Sequence, residues 1–354
     1  MVRIPVRSVC LLLTLLQLVC VSLLAQESYT LIVQPGESIQ AAVDAAYPGA
    51  TINLGKGIWR ENITINKTVT LQGTGADSTI LEGKVESQPV LEIKGDTPIT
   101  VTVKALKVTG SSCDGGIRVS GWATLVLSDS AVVSNANYGI GIFNPAQASI
   151  SRCTISGNTG YGIMLGYTAT APSNPNAVIL VSDCTISNNN AYIPSQETPV
   201  AGHGLWLFGS ASVRIVNCKI WDNLHGLLSR NLGPVEIEGC EIASNYAWGI
   251  LVLTPVGGTG VSKILVRDTR IVGNLVGGIL LTGKVEATIE ANQILRNGRY
   301  GIFLDERPCS DADQFTGYIT GRGNTIAWNE LADVCPQELA FLTTPWGGEL
   351  DRRK

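Results

Sequence analysis

The chain has 354 residues, of which only 15% are charged, and its 25 basic and 29 acidic side chains give a net charge of −4. A protein without a basic surplus cannot neutralise a phosphate backbone, so we do not expect a nucleic-acid partner. A length of this order usually means two or three domains, unless stacked repeats share one continuous core.

Residues 1–25 have the pattern of an export signal. Arg3 and Arg7 precede an uncharged apolar stretch from Val9 to Leu24, and Ala25 offers a small residue for cleavage. The stretch is short for a membrane span and is typical of a signal peptide. We therefore predict a secreted, periplasmic or cell-surface protein with no membrane span after cleavage. Retention of the stretch as an anchor is the alternative.

Residues 26–50 are predicted to form an N-terminal cap. The segment 38–46 has the pattern of a short amphipathic helix, with Ser38 as its N-cap. The open end of a stack of strands exposes unpaired backbone groups and needs a cover. We expect this helix to cover the first coil of the repeat region, which we place at residues 51–335.

The repeat region is marked by one glycine and one asparagine that recur in phase, most often 23 residues apart. A period of this length indicates stacked repeats. Each repeat contains three short strands: G-[IL]-x-[ILV], an apolar–polar–apolar strand such as Val213-Arg214-Ile215, and a brief strand centred on isoleucine or valine. Alternation with period two places the apolar side chains inside. The glycines are Gly116, Gly139, Gly162, Gly204, Gly226, Gly249, Gly278 and Gly301, and the asparagines are Asn135, Asn158, Asn189, Asn223, Asn245, Asn274, Asn297 and Asn329.

Two further columns of residues are predicted to be structural. The asparagines fall at a bend, where each amide can pair with the same amide one coil away. Five residues before them stand small side chains, including four cysteines, and we interpret these thiols as buried packing rather than a metal site. The sequence has no C-x-x-C spacing, and we predict no metal and no cofactor. The column contains Ser130, Cys153, Cys184, Cys218, Cys240, Thr269, Asn292 and Asn324.

The first strand of each coil presents an unusual outward face. Aromatic and aliphatic side chains dominate it, and a contiguous apolar patch usually marks an interaction site. The candidate ligand-binding residues are Tyr138, Phe143, Tyr161, Trp206, Phe208, Trp248, Tyr300 and Phe303, and the polar candidates for catalysis are Asp305, Glu306, Arg230, His203 and His225. Insertions at 167–177, 190–201, 254–262 and 306–314 leave or enter this strand, so we expect them to wall a groove above it.

The C-terminal end carries two cysteines outside the repeat columns. Cys309 and Cys335 flank the last coil, and a disulfide between them would close that end. Residues 336–354 have no coil pattern and are predicted to form a tail or a second cap.

The opening of the repeat region resembles the pectin-lyase-like superfamily. The similarity rests on S-I-Q-A-A-V at 38–43, G-I-W-R-E-N-I-T-I at 57–65 and V-T-L-Q-G-T-G at 69–75. The later coils are similar to the generic right-handed β-helix repeats of NosD-type periplasmic proteins and secreted relatives. The resemblance implies an all-β, single-stranded right-handed parallel β-helix solenoid with an N-terminal capping helix.

The family's catalytic motifs are largely missing. The paired-aspartate motifs of pectin methylesterases have no equivalent, and of the polygalacturonase motifs only Gly202-His203-Gly204 matches. His203 occupies the column before the repeat glycine, beside residues such as Tyr161 and Trp248, so we interpret it first as part of that column. Asp305 and Glu306 are adjacent, so on a strand they would point to opposite sides, whereas sugar hydrolysis needs two carboxylates facing one bond.

Three hypotheses for function remain open. The favoured one is a glycan-binding or cell-surface interaction module that uses the outward face, which could also join two copies of the chain. The second is a polysaccharide-modifying enzyme acting in the same groove. The third is a NosD-like periplasmic accessory protein for metal or cofactor delivery, which two histidines support poorly.

Overall fold

The computed structural model describes residues 29–166, 174, 176–190, 201–254 and 260–353. The predicted signal peptide lies outside the described residues, as does most of the insertions at 167–177, 190–201 and 254–262. Within the described part of the chain, no helix is long and apolar enough to cross a membrane.

The elements follow one another as short strands with one α-helix near the start and one 3-10 helix near the end. The N-terminal part contains β1 (Thr30–Val33), α1 (Ile39–Ala45), β2 (Thr51–Leu54), β3 (Gly57–Arg60), β4 (Ile63–Ile65), β5 (Val69–Gln72), β6 (Thr79–Glu82), β7 (Leu91–Lys104), β8 (Lys107–Thr109), β9 (Gly115–Ser128) and β10 (Ala131–Val133). The middle contains β11 (Tyr138–Phe143), β12 (Gln147–Ser151), β13 (Thr154–Ser156), β14 (Tyr161–Gly166), β15 (Val178–Ser182), β16 (Thr185–Ser187), β17 (His203–Leu207), β18 (Ser212–Val216), β19 (Lys219–Trp221), β20 (His225–Ser229), β21 (Val235–Glu238) and β22 (Glu241–Ala243). The C-terminal part contains β23 (Trp248–Val252), β24 (Ser262–Arg267), β25 (Arg270–Val272), β26 (Gly277–Leu281), β27 (Val285–Glu290), β28 (Gln293–Leu295), β29 (Tyr300–Leu304), β30 (Tyr318–Arg322), β31 (Thr325–Ala327), β32 (Ala332–Cys335), the 3-10 helix Gln337–Thr343 and β33 (Gly348–Asp351).

The strands stack coil upon coil into three parallel sheets. The front sheet contains β4, the first halves of β7 and β9, and then β11, β14, β17, β20, β23, β26, β29 and β32. The side sheet contains β1, β2, β5, the second halves of β7 and β9, and then β12, β15, β18, β21, β24, β27, β30 and β33. The back sheet has 11 strands, from β3 to β31. The strands β7 and β9 continue around the corner between front and side sheets, and they join the two. This confirms the predicted parallel β-helix.

The core is a column of apolar side chains enclosed by the three sheets. In β18, Val213 and Ile215 are buried while Arg214 between them is exposed, as the period-two pattern predicts. The central isoleucines of the back sheet stack directly on one another, for example Ile186 on Ile220. Each short strand is stable only because the coils above and below pair its backbone and cover its apolar side.

The asparagine ladder is confirmed. The Asn189 Nδ2 donates to the Oδ1 of Asn223 at 3.1 Å and to the carbonyl of Ile155 at 3.0 Å. The same pattern repeats in the neighbouring coils, so buried backbone and side-chain groups satisfy one another. The repeat glycine lies against this ladder, and a Cβ on Gly204 would approach the carbonyl oxygen of Gly226 to 2.5 Å. Any larger residue would therefore force neighbouring coils apart.

The four cysteines of the second column are buried free thiols, as predicted. Each donates to the carbonyl two residues earlier, for example Cys153 to Ser151 at 3.1 Å. The hydroxyl side chains of the same column bond in the same way, such as Thr269 to the carbonyl of Arg267 at 2.9 Å, whereas the Asn292 amide donates to the carbonyl of Val266 at 2.8 Å. A small donor is therefore what this bend requires.

Both ends of the solenoid carry non-repeat segments. At the N-terminal end the Ser38 Oγ accepts from the Ala41 amide at 3.2 Å and begins α1, whose Ile39 and Val43 are buried. The predicted helix therefore forms, and its role in covering the first coil stays a prediction. At the other end β33 pairs antiparallel with β30, and Leu339 and Leu342 of the 3-10 helix are buried.

The predicted disulfide between Cys309 and Cys335 is present. It ties the segment after β29 to the end of β32, and the loop it closes spans 26 residues. A cross-link over a loop of that length is expected to stabilise the C-terminal end by about 3 kcal/mol through loss of chain entropy in the unfolded state.

Replacing Cys309 and Cys335 by serine together is accordingly expected to lower the free energy of unfolding by about 3 kcal/mol. Urea denaturation followed by circular dichroism measures this. Cys113→Ser, at an exposed free thiol, is the control and should leave stability unchanged. An unchanged midpoint in the double variant would contradict the prediction.

Candidate functional site

The outward side chains of the front sheet, which we call the front face, form three columns. The register places like positions of successive coils side by side, because each outward residue pairs with its counterpart in the next coil. The first column contains Tyr138, Tyr161, His203, His225, Trp248, Gly277 and Tyr300. The second contains Arg118, Gly141, Met164, Trp206, Leu228, Leu251, Leu280 and Phe303. The third contains Phe143, Gly166, Phe208, Arg230, Leu253, Thr282 and Asp305. The structure therefore brings all the sequence-predicted site residues except Glu306 onto one surface.

A stack of three rings forms the centre of the front face. The Tyr161 and Trp206 rings are stacked at 4.8 Å between centroids and 16° between planes. The Trp206 and Phe208 rings are stacked at 5.8 Å and 8°. All three side chains are half-buried. Such stacking contributes about 0.5–1.5 kcal/mol per pair beyond burial and holds each ring in one orientation.

A second aromatic group lies two to four coils further along the front face. Tyr300 and Phe303 are 4.8 Å apart between ring centroids, and Trp248 and Phe303 are 5.9 Å apart. The second column continues with leucines on three successive coils. Leu228 lies on the coil between the two groups, and Leu251 and Leu280 lie on the next two coils. Leu251 is only 8% exposed. These leucines form an apolar strip that connects the two groups of rings.

Tyr138 does not present its ring to solvent. The side chain is 1% exposed, and its hydroxyl donates to Asp114 Oδ1 at 2.8 Å. Burial and the Asp114 carboxylate hold the pKa of Tyr138 well above its ordinary value. Arg118 donates to the other oxygen of Asp114 at 3.2 Å and lies 5.0 Å from the centroid of the Phe143 ring. The Tyr138 ring lies against Phe143 and Gly141, so it packs into this end of the face.

Asp114 was not among the sequence-based candidates. It lies two residues before Gly116, a position that is not acidic in the other coils. Asp114 is the only acidic residue at that position of the repeat, and this is the signal by which it could have been found. A comparison of coil with coil for the one odd residue is therefore more informative here than a search for family motifs.

The two histidines are neighbours on adjacent coils. The centroids of the His203 and His225 rings are 5.1 Å apart. Burial lowers the pKa of His203 to about 3 and that of His225 to about 4. The His225 Nδ1 accepts from the backbone amide of Trp248 at 3.2 Å, while among the described residues the buried His203 Nδ1 has no hydrogen-bond partner. Both rings are consequently neutral near pH 7.

The remaining polar candidates are held by neighbours. Asp305 accepts from the Thr282 hydroxyl at 2.8 Å, and the Arg230 Nε donates to the carbonyl of Thr254 at 3.2 Å. Glu306 is 5% exposed and pairs with Arg352 at 3.1 Å, away from the front face. Asp305 and Glu306 lie in the bend that follows β29, where Glu306 fastens the C-terminal segment while Asp305 remains on the face. The described residues contain no group of three or more His, Cys, Asp or Glu side chains placed to hold a metal ion.

Known proteins support this architecture. The family model of the right-handed β-helix region matches residues 91–254 and again 203–333. The chain belongs to this β-helix family. The match confirms the right-handed β-helix that the sequence predicts. No curated protein sequence matches the chain.

Solved structures resemble this β-helix over most of its length. The A-module of the mannuronan C-5 epimerase AlgE4 from Azotobacter vinelandii has a TM-score of 0.51 and 15% identity, covering 84% of this chain and 89% of that one. The A-module of AlgE6 from the same organism has a TM-score of 0.51 and 17% identity, with coverage of 83% and 90%. The catalytic domain of a GH87 alpha-1,3-glucanase in complex with tetrasaccharides has a TM-score of 0.60 and 13% identity, with coverage of 88% and 67%. At such identities the likeness concerns the fold alone.

Proposed function

We propose that the protein is exported and binds an extended carbohydrate chain across the front face. The observation that carries the proposal is the stack of Tyr161, Trp206 and Phe208, which keeps three half-buried rings on the outer side of a flat parallel sheet. Single exposed hydrophobic side chains are ordinary on a protein surface, but a contiguous group of this kind marks a binding surface.

The geometry of the front face suits a chain-like ligand. Successive coils repeat about every 4.8 Å, so the columns offer regularly spaced apolar positions along the axis. A ligand site typically combines such an apolar surface with a few placed polar groups, and the Asp114–Arg118 and Thr282–Asp305 pairs lie at its two ends. The structures that resemble this fold include a glucanase catalytic domain in complex with tetrasaccharides, which is consistent with this proposal.

Binding is favoured over catalysis by the state of the titratable groups. A general base works best when its pKa lies near the operating pH, whereas His203 and His225 have pKa values of about 3 and about 4 and are weak bases. Tyr138, with its raised pKa, stays protonated. Glu306 is held in an ion pair off the face, so Asp305 has no facing carboxylate among the described candidates.

The enzymatic hypothesis can be tested directly. Product release from a polysaccharide, lost in both Asp305→Asn and Asp114→Asn while both variants remain folded, would favour catalysis in the same groove over binding alone. We expect binding without turnover.

Trp206→Ala is expected to weaken glycan binding by about 10- to 100-fold, because it removes the central ring and frees both neighbours to move. Isothermal titration calorimetry against a panel of soluble oligosaccharides measures the Kd. Trp221→Ala is the matched control, since Trp221 is a 38% exposed tryptophan at the end of β19 on the back sheet. It should bind as the unchanged protein does.

Two outcomes would contradict the proposal. One is an equal loss of binding in Trp206→Ala and Trp221→Ala, which would show that the glycan does not bind specifically to the front face. The other is a dimer that dissociates in Trp206→Ala, without any glycan binding, in sedimentation velocity experiments. In that case the apolar face would join two copies of the chain.

A further inference from the structure

We infer that the front face selects neutral glycans and discriminates against polymers of uronic acids. The inference rests on the proposed function and adds the chemical class of the ligand. It follows from the charges that the described residues place on this face, and from how each charge is already used.

The charged side chains of the front face nearly balance one another. The two N-terminal coils place Glu92 beside Arg118 and Lys94 beside Ser120 on the outer side. With these, the columns and the adjoining positions two residues before the repeat glycines carry three acidic and four basic groups, namely Glu92, Asp114, Asp305, Lys94, Arg118, Arg230 and Arg299. The whole chain has a net charge of −4, so the long-range field does not attract a polyanion either.

The basic groups near the ring stack are already engaged. Arg118 donates to Asp114 and lies over the Phe143 ring. The Arg230 Nε donates to the carbonyl of Thr254. Lys94 stands on β7, beyond Arg118 and away from the ring stack. A row of cations, one for each sugar of a uronate chain, is therefore not present on the described front face.

The histidines cannot supply the missing charge. Burial keeps the pKa of both His203 and His225 far below its ordinary value, so both imidazoles stay neutral near pH 7. The segments that follow β14, β16 and β23 add no basic residue either. Residues 167–173, 191–200 and 255–259 contain Glu197 as their one charged side chain in the sequence.

A uronate chain on this surface would lose hydration without compensation. Moving an ionised carboxylate against the apolar columns carries a large desolvation penalty unless a cation pairs with it. A neutral sugar offers apolar C–H faces to the rings and leucines and keeps its hydroxyls hydrated at the edges. The few polar pairs of the face can bond such hydroxyls without needing a charge on the ligand.

Calorimetric titration with neutral glucan oligosaccharides and with oligosaccharides of polygalacturonate and alginate tests the inference. We expect neutral chains to bind with a Kd that changes less than about twofold between low and high salt. Uronate chains should bind at least about tenfold more weakly. Uronate binding that equals or exceeds neutral binding would overturn the selectivity and leave glycan binding intact. Binding of no glycan at all would overturn the proposed function itself.

A gain of function provides a second, independent test. Leu253 and Leu280 are half-buried on the front face, on the coil of Trp248 and on the coil that follows it, and Leu253→Lys with Leu280→Lys would add two cations there. We expect this variant to acquire salt-sensitive uronate binding. The matched control places the same charges at Leu265 and Thr288, which are partners on the side sheet, and should acquire none. A folded front-face variant without uronate binding, or a control with equal binding, would contradict the inference.

Discussion

Asn189→Ala is expected to lower the free energy of unfolding by about 3 kcal/mol or more, the largest effect of any single polar substitution considered. The Asn189 side chain is fully buried and donates to the carbonyl of Ile155 and to the Oδ1 of Asn223. Its own Oδ1 accepts from the backbone amide of Asn158 at 3.3 Å and from the Nδ2 of the same residue at 2.8 Å.

Alanine at this position would leave several groups without partners. The carbonyl of Ile155 and the amide of Asn158 would both lose a hydrogen bond in a place that water does not reach. Each buried unsatisfied group costs about 1–3 kcal/mol, and the cavity left by the amide adds to it. Because coils are stabilised by their nearest neighbours, the loss would be felt at both adjoining coils.

The neighbouring residue provides the control. Asn190 stands in the same turn, is half-buried, and donates its side-chain amide to the carbonyl of Asp222 at 3.0 Å. Asn190→Ala should cost about 1 kcal/mol. Urea denaturation of both variants separates a ladder effect from a general effect of the turn. Similar midpoints for the two variants would show that the ladder does not carry the expected share of stability.

Acidification from pH 7 to pH 5 is expected to destabilise the protein through His203 and His225. Both have folded-state pKa values, about 3 and about 4, below the ordinary value of 6.5. At pH values between the folded-state pKa and the ordinary pKa, these histidines are protonated in the unfolded chain and neutral in the folded chain. The contribution is therefore complete above about pH 6.5 and is lost as the pH falls towards 4, by about 1.4 kcal/mol per pH unit for each histidine.

Histidine variants identify the source of this slope. His203→Gln and His225→Gln each remove one titrating group, so the fall in unfolding free energy from pH 7 to pH 5 should shrink by about 2 kcal/mol per substitution. Chemical denaturation at a series of pH values measures it. Variants that retain the full slope would contradict the burial of these rings. Carboxylates with lowered pKa values, such as Glu238 beside Arg267, act at lower pH and do not produce the same slope.

The fold could be predicted from the sequence because the contacts that define it are local and recur in every coil. The recurring glycine, asparagine and isoleucine report contacts that every coil makes with the next, such as the approach of Gly204 to the backbone of Gly226. The cysteine column followed from the same reasoning, and the Cys309–Cys335 disulfide followed from its place outside the columns. Repetition multiplies a weak signal, so the stacked coils could be predicted from the period, and the resemblance to known families implied the right-handed β-helix.

The site could be predicted only in part from the sequence. The outward direction of Trp206 and Phe208 follows from alternation, but alternation does not say how far a side chain rises above its neighbours. Tyr138 occupies the same column as Tyr161 and is nevertheless buried, with its ring packed against Phe143 and Gly141. Asp114 also belongs to this cluster, and the repeat pattern did not predict it.

The sequence by itself determined the parallel β-helix, its coil length, its ladders and the composition of the front face, since these depend on nearest-neighbour periodicity. Only the tertiary structure decided which rings stack, that His203 and His225 are buried and neutral, and that Glu306 is paired with Arg352 from the C-terminal segment. Those outcomes depend on side chains from different coils, or from segments 46 residues apart, meeting at one point. Their charge, exposure and orientation are properties of the assembled surface rather than of any single coil.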